Sequence, residues 1–258
     1  MSSLSLAAVA EDTARETEAV AFERPDVHDL RVYRPVWPQA EVRNADCLEL
    51  AAELLRERPG RRVVVLSLAS ETWPGGVSST GAPRQEETIC LRSTLRTTLE
   101  QSGFYPMREP GTLIFTPHVR VFKDREYRAL DEPFTVAVAT CAGLSHPKLD
   151  ARNRMSPVDR RETERRIRRI LAACEDHRAD AVVLGALGCG THRNPCEDVA
   201  EAFRFVLGER DYVPRVYFAV LEDEAGDQPI GRVFRAALGP RAAGGRPAGG
   251  DGAKSIRV

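Results

Sequence analysis

The strongest constraint on this chain is an alternation: short, nearly continuous runs of Val, Ile, Leu and Phe take turns with longer stretches whose apolar residues recur at helical spacing. Runs at 62–68, 112–116, 134–140, 181–186 and 215–221 have the length and composition of strands buried on both faces. Helical patterns fall between them at 48–56, 86–101, 159–176 and 196–207. Strands separated by helices imply an α/β chain in three layers, α/β/α, with a mixed, largely parallel sheet. Two helix starts are specified residue by residue. Ser156-Pro157-Val158-Asp159 offers a serine N-cap, a proline at the first helical position and an acid at the third, and Asn194-Pro195-Cys196-Glu197 repeats that logic. The second start follows a strand directly. It therefore aims helix N–H groups at the carboxyl edge of the sheet, where open α/β sheets bind ligands.

A chain of 258 residues, 42% of them hydrophobic, suffices for one large core. The expected organisation is a disordered start over 1–12, one domain over 13–238 that includes an N-terminal helical extension, and a disordered tail over 239–258. That tail, rich in Gly, Pro and Ala, carries Arg241, Arg246, Lys254 and Arg257 against Asp251 and is too poor in apolar residues to order. Over the whole chain 37 basic residues face 38 acidic ones, so no global field favours nucleic acid. Six scattered cysteines and a start without a basic region point to reduced thiols in a cytoplasmic protein, and no apolar run has the length of a membrane span. A monomer is expected.

Two loops carry the chemistry. After the run VVVLSLAS comes PGGVSSTGAPRQEE, residues 74–87. Pro74-Gly75-Gly76 permits positive φ and brings bare backbone N–H groups to a ligand, although a plain β-to-α turn uses the same residues. Gln85-Glu86-Glu87 opens the next helix, where a carboxylate is favoured by the helix dipole. Joined at this spacing, the set resembles the catalytic loop of the microbial-type poly(ADP-ribose) glycohydrolases, whose pattern is three glycines, a short spacer and QEE. Their second phosphate loop follows a later strand, and VVLGALGCGTHRNPCEDVAEAF stands in that place here, with Gly188, Gly190, Asn194 and Pro195 matching. Weaker likeness at 13–17, 42–47 and in FTVAVATC extends the resemblance from about residue 13 to about residue 221.

The resemblance implies a macrodomain-like fold that binds ADP-ribose, free or on a modified protein, with no cofactor and no metal. Glu87 matches the catalytic glutamate, Glu86 the neighbour that holds ribose hydroxyls, and Gln85 the glutamine that sets the loop. Gly75 and Gly76 match the first two loop glycines, and Ser70 a small polar residue at the strand end. The backbone of Gly188, Cys189 and Gly190 is expected to face the diphosphate, with Val77, Thr191, His192 and Asn194 completing the substrate-binding set. These residue types fit the chemistry. Cleaving a ribose–ribose bond needs a carboxylic acid to protonate the departing oxygen and then, as carboxylate, to activate water. Two adjacent carboxyls also raise the proton affinity of one of them.

Five residues, in four places, depart from the family pattern. Val77 occupies the place of the third glycine, Ser67 that of a strand Asn or Asp, Ser78 that of an apolar loop residue, and His192-Arg193 that of an aromatic-glycine pair. Because the acid pair is intact, the expected activity is an ADP-ribosyl hydrolase with altered substrate choice. The alternative is a module that binds ADP-ribose without turning it over. Cys189, His192 and Cys196 have ligand-like chemistry but no fourth partner at zinc spacing. A thiol–histidine pair drawn from Cys189 or Cys141 with His146 or His192 is a third possibility, set against the usual burial of cysteine. Arg160, Arg161, Arg165, Arg166, Arg168 and Arg169 read as a solvated helix face, and Trp73, ahead of Phe104 and Tyr105, as the aromatic best placed to stack on adenine.

Overall fold

The structure, a computed structural model, describes residues 40–76, 84–209, 211, 214–222 and 230–239. The start expected to be disordered, nearly all of the basic tail, Val77 and Ser78 lie outside the described residues. In chain order the elements are β1 (Ala40–Arg43), α1 (Cys47–Glu57), β2 (Val63–Leu68), α2 (Gln85–Arg92), α3 (Leu95–Gln101), β3 (Leu113–Lys123), β4 (Ala129–Cys141), α4 (Pro157–Asp176), β5 (Ala181–Leu184), α5 (Cys196–Leu207), β6 (Arg215–Ala219) and α6 (Ile230–Leu238). They build one six-stranded sheet in the order β1-β6-β5-β2-β4-β3, parallel throughout except for the antiparallel β3–β4 hairpin.

Alternation along the central strands decides the layers. Val63, Val65, Ala181 and Val183 point to one face, where they pack with Leu48, Leu50 and Leu54 of α1, Ile89 of α2 and Leu95 and Leu99 of α3. Val64, Leu66, Val182 and Leu184 point to the other, against Ile167, Ile170 and Leu171 of α4, Val199, Phe203 and Val206 of α5, and Phe234 of α6. Period-2 strands with both faces apolar thus force a helix layer on each side. The fold is the expected three-layer α/β/α arrangement. Among the described residues no helix is long and apolar enough to cross a membrane.

The structure corrects several expected boundaries. The helix expected over 86–101 is two helices, because Ser93 is extended (φ −147°) and bridges to Val121, while Thr94 exchanges backbone and hydroxyl hydrogen bonds with Arg120. Strands expected to end at 116 and to begin at 134 run on as a hairpin to Lys123 and from Ala129, with charged residues on exposed faces. Ser156 does cap α4, accepting from the Asp159 N–H at 3.1 Å. Asn194, by contrast, does not cap α5. The cap residue is Pro195, and the Asn194 amide instead donates to the carbonyls of Leu144, Gly188 and His192. The arginine face of α4 is not wholly solvated either, since Arg166 is 3% exposed among carboxylates and a loop carbonyl.

Candidate active site

Because β5, β2 and β4 are neighbours in the sheet, the loops at their carboxyl ends meet over one edge. There they enclose a cleft of about 580 Å³. Its walls include Ser70, Gly76, Gln85, Glu86 and Glu87 from the first motif and Gly188, Gly190, Thr191 and His192 from the second. Of the residues expected at the site, Gly75, Cys189 and Asn194 stand behind this wall, and Val77 lies outside the described residues.

The start of α2 is fastened to β2 by its own side chains. Gln85 accepts from the Leu68 N–H at 2.8 Å and donates to the Leu66 carbonyl at 2.7 Å, so its amide pairs with the strand backbone on either side of Ser67. Glu86, 2% exposed, accepts from the Ser70 N–H at 2.8 Å, from the Gly75 backbone and from the Tyr105 hydroxyl at 3.3 Å. Burial raises its pKa from an ordinary 4.5 to about 7, with the charge of Glu87 adding to the rise and the three donors opposing it. Both Glu86 oxygens therefore already accept from the protein, which leaves the carboxylate little further accepting capacity for a ribose hydroxyl.

Glu87 is placed differently. One oxygen accepts from the Arg84 N–H at 2.9 Å, closing the first turn of the helix from the far end of a capping box. The side chain lies along Gly76, where an added Cβ would sit 3.4 Å from its Cγ. Gly76 adopts φ +66°, a region that costs an L-residue about 1 kcal/mol, so glycine serves both the turn and the space beside the carboxyl.

The second loop is shaped by close backbone approach. Gly188 has φ +75°, and a Cβ there would meet the Asn194 amide nitrogen at 2.4 Å. A Cβ on Gly143 would meet the Cα of Gly188 at 2.6 Å, so the loops after β4 and β5 touch backbone to backbone. Gly143 is a site residue that sequence reasoning missed, although a glycine two residues beyond a strand end is the available signal. Also missed are Arg84 and the hairpin-turn residues Arg125 and Tyr127, which line the cleft from above. Among the described residues Tyr127, rather than Trp73, is the aromatic that lines the cleft. Trp73 is 60% exposed and not part of the wall, Phe104 is exposed, and Tyr105 is committed to Glu86.

His192 lines the cleft, hydrogen-bonds the Gly143 backbone and is held below its ordinary proton affinity, chiefly by burial. Arg193 is exposed, does not line the cleft, and takes φ +55° where the resemblance expects glycine. The thiol–histidine reading loses its nucleophile. Burial pushes the Cys141 thiol up to about 11, and Cys189, buried against Cys196, is raised as well. Among the described residues no group of three or more His, Cys, Asp or Glu side chains is arranged to hold a metal ion.

What the arrangement can do is specific: it offers bare backbone of two glycine loops to an oxyanion and sets two carboxyls, Glu86 and Glu87, in the wall of the same cleft. Comparison with known proteins agrees with that chemistry. The family model for the microbial-type PARG catalytic domain matches residues 3–124. Poly(ADP-ribose) glycohydrolase from Thermomonospora curvata, solved as a glutamate-to-alanine variant, is 31% identical with a TM-score of 0.67, over 78% of this chain and 79% of that one. The enzyme from Deinococcus radiodurans in complex with ADP-ribose is 31% identical with a TM-score of 0.66, over 79% and 85%. The T. curvata enzyme bound to the inhibitor ADP-HPD is 29% identical with a TM-score of 0.64, over 89% and 97%. No curated protein matches the chain. Sequence motifs, sheet topology and these structures converge, and the chain belongs to the microbial-type poly(ADP-ribose) glycohydrolase family.

Proposed function

We propose that this protein hydrolyses ADP-ribosyl linkages and releases ADP-ribose, with Glu87 as the acid and base of the reaction. The observation that carries the reading is that both carboxyls line the cleft between the two glycine loops but are held differently: Glu86 accepts from the Ser70 and Gly75 backbone and the Tyr105 hydroxyl, while Glu87 accepts from the Arg84 N–H at one oxygen. Relatives solved with ADP-ribose and with ADP-HPD support ADP-ribose as the bound unit. The diphosphate lies against backbone of Gly76 on one side and of Gly188 to Thr191 on the other, which fixes the far ribose beside Glu87. Glu87 then protonates the departing oxygen as the ribose gains oxocarbenium character, and as carboxylate it takes a proton from the incoming water. Glu86 serves the sugar through the loop it clamps, holding Ser70 and Gly75 in place under it.

The deciding experiment follows free ADP-ribose from an ADP-ribosylated protein with wild type and Glu87→Gln, alongside calorimetric titration of ADP-ribose. Release should fall by roughly two to four orders of magnitude, the usual worth of a general acid, while ADP-ribose still binds. Binding without release by the wild type would make the protein a reader of ADP-ribose instead. Release that survives Glu87→Gln would remove Glu87 from the mechanism.

A further inference from the structure

Arg166 is set apart from the other arginines of α4 by where its charge goes. Arg160, Arg165 and Arg168 are more exposed and pair with Glu164, Glu162 and Glu209, whereas Arg166 is buried and bonds the loop after β4 as well. Its Nη1 donates to the Ala142 carbonyl at 2.7 Å and lies 3.3 Å from Glu71 Oε1, and its Nε donates to Glu162 at 3.0 Å. The residue after Ala142 is Gly143, which presses on Gly188 and is hydrogen-bonded by the His192 side chain. A guanidinium and an imidazole therefore grip adjacent residues of one loop from opposite sides.

Charge follows the same route. Glu71, on the loop after β2, faces both Arg166 and His192. His146, from the loop after β4, and Arg84, at the start of α2, face His192 with the opposite effect. We propose that Arg166 is a positioning residue for the cleft: it holds the 142–143 backbone on which His192 docks and sets how much of the Glu71 charge His192 feels. With the diphosphate of ADP-ribose in the cleft, as the functional reading above has it, the charge on His192 becomes part of anion binding. Glu71 neutralised by Arg166 favours the neutral imidazole, and Glu71 released from Arg166 favours the imidazolium.

The test reads His192 directly. Its titration midpoint is followed by NMR on the ligand-free protein, the signal being assigned by its loss in His192→Gln. Glu71→Gln should lower the midpoint by about half a pH unit, and Arg166→Met should raise it, with Arg166→Lys returning it toward wild type. A guanidinium that only stabilises the fold would leave the midpoint unmoved in folded Arg166→Met, and that result ends the proposal. Should Arg166→Met not fold, Arg166→Gln, which removes the charge but keeps an N–H for the Ala142 carbonyl, decides in its place. In parallel, ADP-ribose affinity is measured from about pH 5.5 to about pH 8, where histidine changes charge. Its pH dependence should move with the midpoint in each variant, and affinity indifferent to a moved midpoint overturns the link to binding. Absence of ADP-ribose binding at every pH would sink the functional reading, while the ligand-free titration would still decide the role of Arg166.

Discussion

At the scale of single residues, the site depends on two glutamates that differ in surroundings more than in sequence. Glu86 and Glu87 are adjacent and both line the cleft, yet one accepts from two loop amides and a tyrosine hydroxyl and the other from the Arg84 N–H. The enclosure has a measurable consequence for stability. Burial lifts the folded-state pKa of Glu86 from 4.5 to about 7, so the folded protein favours the neutral acid more than the unfolded chain does. That preference stabilises fully below about pH 4.5 and is lost as the pH rises through about 7. Denaturant unfolding of wild type should therefore show a contribution from this group that declines across the window, and Glu86→Gln should flatten that part of the profile. An identical pH profile in Glu86→Gln would mean that the carboxyl is not buried in the way the structure places it. Both glutamates were legible in the sequence as a pair. Their different environments were not, because the amides of Ser70 and Gly75 and the hydroxyl of Tyr105 reach Glu86 only once the chain has folded.

Among elements, the start of α1 and the end of α2 are tied by one buried ion pair that also stands beside the cleft. Asp46 caps α1 by accepting from Leu48 and Glu49, both at 3.0 Å, and pairs with Arg92 Nη1 at 2.8 Å. Arg92 adds a bond from Nε to the Lys123 carbonyl, which brings the hairpin into the same junction. Removing the guanidinium leaves a desolvated carboxylate with only its capping amides. Arg92→Met is accordingly expected to lose about 3 kcal/mol in urea unfolding, and the double variant Asp46→Asn with Arg92→Met to recover a good part of it. Additive losses would show that the two side chains do not act as a pair. Nothing local announces this junction, since Asp46 and Arg92 are far apart in sequence and each looks like an ordinary terminal charge. The same limit explains the split between α2 and α3. No proline or glycine marks it, and the break comes from Ser93 and Thr94 bonding to the β3 backbone. Asn194 shows the converse, a good cap by residue type whose amide is taken by three loop carbonyls.

For the whole molecule, the sheet order makes the site. Alternating apolar runs reveal five of the six strands, all but β1, and that most connections cross over, but not that β2 lies between β5 and β4. That adjacency brings the two motif loops together and sets Gly143 against Gly188, a contact that its place after a strand end could only suggest, whereas the motif glycines came with their spacing. It also makes binding and folding one linked equilibrium, because ADP-ribose held across loops from separate strands binds only the assembled sheet. At a hundredfold excess over its dissociation constant such a ligand adds about 2.7 kcal/mol, which for a domain of this size raises Tm by roughly 5–10 °C. Glu87→Gln should keep that rise, since it alters chemistry and not the backbone cradle. Gly188→Ala should lose most of it, because its Cβ meets the Asn194 amide at 2.4 Å in a turn with φ +75°. Differential scanning fluorimetry with and without ADP-ribose separates the cases. A rise that survives Gly188→Ala would move the diphosphate away from the second loop, whereas a rise lost in Glu87→Gln would make that carboxyl a binding group before it is an acid.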